Sequence, residues 1–498
     1  MRLARAFARQ ERSLAVQSVI LTGARAAGFA LTFAIPLVLV RIFSQDEFGV
    51  YKQVFLISAT LVPICNLGLN ASLFYFVPRD GGRGQRFVHQ ALALLSLAGA
   101  AAGLALVVAG DGVASALDSP ALADHRYAVA LFVALSIPAL LIDALPVVDR
   151  RATIAAWAIA GGDLVRASAI VAAAVAWRSV GAVVWAAVLS AALRGAALLA
   201  YIRFRTADPG PRANARDLAA QLRYAVPFAV AVVFEIGLNH FHQYFVAARA
   251  SAAGFAVYSV GILHIPILGM LVASVVDVML VRAAEAHRAG DVAALRNLWH
   301  VTLERLAAIL VPCWLLAQLF ARDVFALLFG PDYLAAVPVF RIFATTLLLW
   351  GLVDHGILRA TGDTPFIVKA NVAGLAASVA TVLALARVSM FLGAIAGYVV
   401  GLGVMRSLGI AMVARRLGLT PGDVLPWRTL GRVGAAALAS GAVAAVALPL
   451  PGPLPRLLAG CALFAVAYTL IAYRWELVPR QEVAALVRRF VPALPWSS

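Results

Sequence analysis

Six arginines lie inside long apolar stretches of this 498-residue chain. An ionisable side chain in a bilayer core is costly unless it faces a cavity, reaches the interface or is paired. The planar guanidinium group suits phosphate oxygens better than other side chains do, because it donates two parallel hydrogen bonds. We therefore treat these residues as candidates for binding an anionic substrate. They are Arg25, Arg166, Arg194, Arg305, Arg341 and Arg406.

Three of these arginines also fit a structural role. Arg305 and Arg341 lie near the predicted ends of apolar segments, from which long side chains reach lipid headgroups. Arg166 follows Asp163 by three residues on one helical face. For Arg166 an internal ion pair and substrate binding therefore both remain open.

The other three arginines occupy more informative positions. Arg194 and Arg406 lie at equivalent offsets in the two halves of the chain, as matched binding residues or matched structural residues would. Arg25 interrupts an otherwise long apolar helix. We expect Arg25 to be the strongest single candidate for contact with a phosphate group.

Acidic and polar residues form a second candidate set, for coupling to an ion or a proton. Glu235, Asn239 and His242 are spaced so that they share one helical face, and Asp163 is a further candidate. The same spacing equally fits a hydrogen-bonded polar face that steadies helix packing. The sequence carries no signature of a catalytic triad, a metal site or a phosphate loop, so we expect no catalytic residue, no metal and no cofactor.

The elements that must position these residues are membrane-spanning helices. Hydrophobic residues make up 63% of the chain and charged residues 13%, whereas soluble domains carry about 25% charged residues. Apolar segments long enough to cross a bilayer follow one another along the chain. Because the last two are short, twelve spans with a re-entrant hairpin is an alternative to fourteen spans. The fourteen are predicted near residues 14–42, 50–77, 87–109, 126–148, 152–177, 180–203, 223–247, 254–281, 299–321, 334–358, 364–386, 391–414, 431–448 and 455–473.

The distribution of basic residues predicts the orientation of these spans. Alternate connections hold most of the arginines, and the connections between them are poor in basic residues and richer in acids. Basic residues favour the cytoplasmic side, so we expect both termini to be cytoplasmic. The net charge of +17 is therefore explained by topology, and we expect no nucleic acid as a partner.

An internal repeat organises the chain. The segment Phe48–Tyr51 recurs as Phe255–Tyr258, and Gly181–Val183 recurs as Gly393–Ile395. Six spans separate the copies, which indicates parallel repeats related by an axis along the membrane normal. We expect an N-lobe of six spans, a cytoplasmic linker, a C-lobe of six spans, two further spans and a cytoplasmic tail. Their predicted bounds are 1–204, 205–222, 223–416, 417–474 and 475–498.

Several motifs connect the chain with a known family. They are Leu39–Tyr51, Asn66–Ser72, Val77–Arg79, Leu328–Tyr333 and Phe391–Ala396. Together they resemble the polysaccharide-flippase branch of the multidrug/oligosaccharidyl-lipid/polysaccharide exporter superfamily, the Wzx-type O-antigen and exopolysaccharide flippases. The resemblance covers essentially the whole chain.

The resemblance implies a fold, a function and partners. The fold is an all-α polytopic membrane protein with two six-helix lobes around a central cavity, two extra C-terminal helices and alternating access. The implied function is the transfer of an undecaprenyl-pyrophosphate-type lipid-linked oligosaccharide to the outer leaflet of the bacterial inner membrane, for lipopolysaccharide, O-antigen or exopolysaccharide synthesis. The other implied partners are membrane lipids and the polysaccharide polymerase and assembly proteins.

Two alternative functions compete with this interpretation. A cation-coupled multidrug exporter of the same superfamily requires an acid-rich cavity for cationic drugs, whereas arginines outnumber acids within the predicted spans. A membrane polymerase or glycosyltransferase of the same pathway requires a long external loop or a soluble catalytic domain, and the predicted external connections are short. We therefore expect a transporter and not an enzyme.

Overall fold

The structure, a computed structural model, describes residues 2–80, 84–205 and 214–477. Within these ranges fourteen helical segments are long and apolar enough to cross a membrane, which confirms the predicted all-α polytopic fold and the predicted number of spans. The last two segments, Trp427–Ala447 and Pro453–Arg474, are 21 and 22 residues long, so each of them has the length needed to cross a bilayer.

By its internal contacts the chain divides into two compact units, Met1–Ser259 and Val260–Ser498. The helices of the first unit are α1 (Arg2–Leu39), α2 (Gln45–Cys65), α3 (Leu69–Arg79), α4 (Gln85–Val108), α5 (Gly110–Ala116), α6 (Pro120–Asp124), α7 (Arg126–Ala139), α8 (Leu141–Val148), α9 (Ala152–Trp177), α10 (Val180–Arg205) and α11 (Ala215–Ala247), followed by α12 (Ala252–Gly261), whose last residues belong to the second unit.

The second unit continues in the same all-helical manner. It contains α13 (Pro266–Arg288), α14 (Val292–Leu328), a 3₁₀ helix (Pro331–Ala336), α15 (Val337–Ala344), α16 (Thr346–Trp350), α17 (Asp354–Ala360), α18 (Thr364–Leu385), α19 (Met390–Leu417), α20 (Trp427–Ala444), a second 3₁₀ helix (Ala445–Ala447) and α21 (Pro453–Arg474).

The predicted lobe boundaries, drawn from the repeat, stay a prediction. Residues 206–213 of the predicted linker and nearly all of the predicted tail, 478–498, lie outside the described residues. The helix after the linker, α11, packs against α2, α3 and α4 of the first unit.

Several predicted spans are interrupted helices. The second span breaks between α2 and α3, where Leu67 and Gly68 adopt left-handed backbone conformations with φ of 52° and 69°. The eighth span breaks between α12 and α13, where Pro266 opens the new helix. Proline in the first turn is tolerated because the amide groups there have no helical acceptor.

Each unit has its own apolar core. In the first unit, Leu69 and Leu73 of α3 pack with Leu95, Ile137 and Leu141 from the neighbouring helices. In the second unit, a core cluster surrounds the fully buried Trp299, whose indole Nε1 donates to the carbonyl oxygen of Val424 at 2.7 Å. These cores hold the helices that carry the charged residues.

The repeated Phe-x-Val-Tyr segments both lie in buried positions. Phe48 and Phe255 are each buried at the start of their helices, α2 and α12. The two helix starts meet in the first unit, since Asp46 Oδ1 accepts a hydrogen bond of 3.1 Å from the backbone amide of Ala253. A Cβ atom on Gly49 would overlap the carbonyl of Ala252, so this contact requires glycine.

Candidate functional site

A cluster of charged side chains lies between four helices of the first unit. Arg194 on α10 donates from Nη2 to Asp143 Oδ1 on α8 at 2.5 Å and from Nη1 to Asp163 Oδ1 on α9 at 3.4 Å. All three side chains are partly buried. Arg194 therefore bridges two carboxylates that come from different helices.

Two glycines make room for this arrangement. A Cβ on Gly162 of α9 would lie 3.0 Å from Arg194 Nη1, and a Cβ on Gly28 of α1 would overlap the carboxylate of Asp163. The absence of side chains at these two positions lets the arginine and the carboxylate lie against the neighbouring backbones. The fourth helix, α1, thereby approaches the cluster closely.

Arg25 and Arg166 extend the cluster along α1 and α9. Arg25 lies one turn before Gly28, is exposed, and interacts electrostatically with Asp143. Within the described ranges, its guanidinium makes no hydrogen bond. Arg166 donates from Nη2 to Thr32 Oγ1 at 3.1 Å.

An ion pair between Arg166 and Asp163 is one alternative from the sequence, but in the structure the two side chains have different partners. Asp163 faces Arg194 on α10, whereas Arg166 turns towards α1. The spacing of three residues places both groups on one helical face, but the neighbouring helices provide the closer partners. With three arginines and two aspartates, the cluster carries a formal charge of +1. Its members are Arg25, Arg166, Arg194, Asp143 and Asp163.

The second unit contains an equivalent but smaller arrangement. Arg406 on α19 donates from Nη1 to Asp354 Oδ1 at 2.8 Å and to His355 Nδ1 at 3.0 Å, both at the start of α17. A Cβ on Gly409 would overlap the Asp354 carboxylate, as a Cβ on Gly28 would overlap Asp163. This pair is more deeply buried, with the Asp354 side chain 8% exposed against 31% for Asp143.

The two pairs occupy equivalent positions of the repeat. Asp354 follows Asp143 by 211 residues, and Arg406 follows Arg194 by 212 residues. Sequence analysis did not select Asp143. The signal that identifies it is the recurrence of Leu141-Ile142-Asp143 as Leu352-Val353-Asp354, at an offset within one residue of the one between Arg194 and Arg406.

Each unit also contains a second aspartate–arginine ion pair, near the ends of the same helices. In the first unit Arg205 donates from Nε and Nη2 to the two carboxylate oxygens of Asp149, both at 2.7 Å, and from Nη1 to Gln85 Oε1 at 2.8 Å. In the second unit Arg416 pairs with Asp363, which also accepts from Thr361.

Asp363 lies between two spans, and its surroundings favour the ionised carboxylate. Burial alone raises the pKa of this carboxyl group, but the hydrogen bonds from Arg416 and Thr361 outweigh burial and hold its pKa below the usual range. The pair therefore contributes to stability when the carboxyl group is charged.

The remaining predicted site residues lie apart from these clusters. Arg305 on α14 and Arg341 on α15 are exposed, and the Arg341 carbonyl accepts from Gln318 at 2.8 Å. Glu235 is exposed on α11.

The polar residues farther along α11 are more buried. Asn239 is half-buried, and His242 is buried with its Nδ1 2.6 Å from the Tyr258 hydroxyl group. The described part of the chain contains no group of three or more His, Cys, Asp or Glu side chains that could hold a metal ion.

Comparison with models of known protein families finds a match. A family model described as polysaccharide biosynthesis protein matches residues 38–338, which is more than half of the chain. A search of curated proteins finds none that matches.

Solved structures with the same fold are found among transporters and flippases. The lipid II flippase MurJ in an inward closed conformation has a TM-score of 0.72 at 11% identity, covering 92% of this chain and 99% of that one. An inward-facing multidrug resistance MATE transporter has a TM-score of 0.62 at 14% identity, with coverages of 78% and 94%. A MOP superfamily transporter from Pyrococcus furiosus has a TM-score of 0.59 at 15% identity, with coverages of 82% and 95%. At these identities the similarity establishes the fold.

Proposed function

Because the chain belongs to the polysaccharide biosynthesis protein family, we propose that it is a flippase for a polyprenyl-pyrophosphate-linked oligosaccharide. The membership and the fold confirm the resemblance predicted from the sequence motifs. The chain is a multi-pass membrane protein, and the proposed location is the bacterial inner membrane with both termini in the cytoplasm. The proposed cargo is a precursor of lipopolysaccharide O-antigen or exopolysaccharide, which moves from the cytoplasmic to the outer leaflet by alternating access.

The observation that carries this proposal is the excess of positive charge in the cluster around Arg194. Two of its three arginines have a side-chain partner, Asp143 and Asp163 for Arg194 and Thr32 for Arg166. Arg25 is exposed within the span Leu21–Leu39. An exposed guanidinium at this depth is costly for the protein alone, and an anionic ligand would reduce the cost.

The proposed roles of the arginines therefore differ. Arg25 contacts the pyrophosphate of the cargo, and Arg194 holds α8 and α9 in the arrangement that presents Arg25. Arg406 holds the equivalent helices of the second unit through Asp354. The sugar portion of the cargo passes with the pyrophosphate, while the lipid chain stays in the bilayer.

A complementation experiment tests the proposal. In cells that lack the gene, lipid-linked oligosaccharide should accumulate in the inner leaflet, and the wild-type protein should restore its transfer. Arg25→Ala should fail to restore transfer at normal protein level, and Arg25→Lys should restore it in part, because lysine keeps the charge but loses the paired hydrogen bonds. Arg387→Ala, an exposed arginine between α18 and α19, is the matched control and should behave as wild type.

Dye efflux in the same strains separates flippase from exporter. A positively charged site repels cationic dyes, so resistance to them should not change when the gene is deleted. Unchanged leaflet distribution of the sugar together with lost dye efflux would overturn the proposal in favour of a multidrug exporter.

A further inference from the structure

A groove of about 710 Å³ runs along the first unit between α9 and α10. Its floor consists of small residues on the two facing helices, Ala158 and Gly161 on α9 and Ala197 and Ala200 on α10. The absence of large side chains there leaves a space that the helices do not fill. A Cβ on Gly161 would have no heavy atom within 4 Å, so this position opens directly into the groove.

Large apolar side chains form the rim of the groove. Trp157 on α9 is 75% exposed, and Phe204 on α10 is 83% exposed. In a membrane-spanning helix such side chains face hydrocarbon, so the natural occupant of a groove between them is an apolar chain.

The end of the groove at the start of α9 carries a positive charge. Arg151 lies there, with its guanidinium 6.0 Å from the centre of the Tyr201 ring. The nearby carboxylate of Asp149 is occupied by two hydrogen bonds from Arg205 and one from the Tyr201 hydroxyl. No carboxylate within the described ranges forms an ion pair with Arg151, which therefore keeps its charge available to a ligand.

The inner end of the groove meets the charged cluster. Arg194, whose guanidinium lies against Gly162, forms part of the groove wall. Eleven residues separate Arg151 from Gly162, a distance of about 16 Å along a helix. One leaflet of a bilayer has a hydrocarbon thickness of about 15 Å, half of the whole core.

From this geometry we propose that the groove binds one acyl chain of an anionic phospholipid, with the lipid phosphate on Arg151. The match between the length of the groove and one leaflet favours an ordinary phospholipid over a longer polyprenyl chain. A bound chain also covers one side of Arg194 and excludes water from its bonds to Asp143 and Asp163, which strengthens them. The site is separate from the proposed contact of Arg25 with cargo.

Lipid retention measures the occupancy of the groove. The full-length protein is reconstituted in vesicles that contain equal amounts of phosphatidylglycerol and phosphatidylethanolamine, extracted in mild detergent, and analysed by native mass spectrometry. We expect phosphatidylglycerol to remain bound to the wild-type protein in preference to phosphatidylethanolamine. Gly161→Leu should abolish this retention, because the new side chain occupies the groove.

Two further variants complete the test. Gly195→Leu is the matched control, since Gly195 lies on α10 outside the groove lining and a Cβ there also meets no atom within 4 Å. The Gly195→Leu variant should retain lipid as the wild type does. Gly161→Leu and Gly195→Leu both raise helix propensity, so they are matched in this respect. Arg151→Gln should lower retention about fivefold, because one arginine near an anionic surface contributes about 1 kcal/mol.

Three results would overturn the proposal. They are equal retention by the Gly161→Leu and Gly195→Leu variants, equal retention of the two lipids by the wild type, and selective retention of polyprenyl phosphate when it is added to the same vesicles. Failure here leaves the flippase proposal intact, because the complementation experiment depends on Arg25. Failure at Arg25 likewise leaves the lipid site standing.

Discussion

The charged clusters of the two units share an aspartate–arginine pair but differ in the charged residues around it. In both units an aspartate on a short helix pairs with an arginine on a long one, Asp143 with Arg194 and Asp354 with Arg406. Among the residues that the structure describes, only the cluster of the first unit includes a second carboxylate on a third helix, Asp163, and the exposed Arg25. The comparison indicates that the repeated pair positions helices, and the proposed contact with cargo rests on the residues that differ in the first unit.

The depth of the two pairs also differs. Asp354 is nearly inaccessible, and within the described residues Arg406 has no second carboxylate partner, whereas Arg194 is held by two carboxylates. Removal of one carboxylate therefore leaves an unpaired buried charge in the second unit but not in the first. This difference leads to four predictions, given from the largest expected effect to the smallest.

The first prediction concerns loss of the aspartate in each pair. Asp354→Asn should lower the free energy of unfolding by about 3–5 kcal/mol, because it leaves the Arg406 charge buried without a counterion. Asp143→Asn should cost clearly less, since Asp163 still pairs with Arg194. Thermal unfolding in detergent measures both.

A double variant is the control for this prediction. Replacing Asp354 and Arg406 together with apolar residues of similar volume should recover most of the lost stability, because no charge then remains buried. Equal destabilisation by Asp354→Asn and Asp143→Asn would contradict the proposed difference between the units.

The second prediction concerns the glycines that face the carboxylates. Gly409→Ala and Gly28→Ala each place a methyl group where a carboxylate lies, and each should cost about 1–3 kcal/mol of stability. The matched controls on the same helices are Gly403→Ala and Gly23→Ala, because a Cβ at either position meets no atom within 4 Å. The controls should be neutral or slightly stabilising, owing to the higher helix propensity of alanine. Equal unfolding temperatures for all four variants would rule out close packing at these glycines.

The third prediction separates the arginines. Arg194→Lys should lose the contact with one of its two carboxylates, since a single ammonium group lacks the fork that spans α8 and α9. We expect a loss of about 1 kcal/mol in stability and a reduced rate of transport. Arg406→Lys should cost less, because Arg406 reaches Asp354 through Nη1 alone. A larger loss of both stability and transport rate in Arg406→Lys than in Arg194→Lys would contradict this prediction.

The fourth and smallest prediction concerns pH. The pKa of Asp363 is lower in the folded protein than its usual value, so its contribution to stability is present above about pH 4, the pKa of an unfolded aspartate. The contribution is lost as the pH falls through the lower folded value. Asp363→Asn should remove this part of the acid dependence of the unfolding temperature. An unchanged acid dependence in that variant would show that the pair with Arg416 does not contribute.

The sequence by itself predicted fourteen spans, with twelve as an alternative, and placed most of them close to where the structure has them. Predicted span 152–177 coincides with α9, and predicted span 364–386 agrees with α18 within one residue. Span prediction succeeds because a bilayer requires a fixed length of apolar helix, which is a local property of the chain. The same local pattern located the charged residues that interrupt the spans.

Interruptions within spans depended more on tertiary packing. The predicted span 334–358 is formed by a 3₁₀ helix followed by α15, α16 and α17. These breaks place Asp354 at the start of α17, opposite Arg406. Hydropathy cannot detect such breaks, because the apolar composition continues through them.

The partners of the charged residues were decided only by the tertiary structure. Asp163 and Arg166 are near neighbours in the sequence, yet Asp163 bonds with Arg194, 31 residues away, and Arg166 bonds with Thr32, 134 residues away. Spacing along a helix determines the face of a side chain, whereas the adjacent helices determine which group it meets. Packing of α1, α8, α9 and α10 brings these residues together, and glycines at positions 28 and 162 allow the helices to approach.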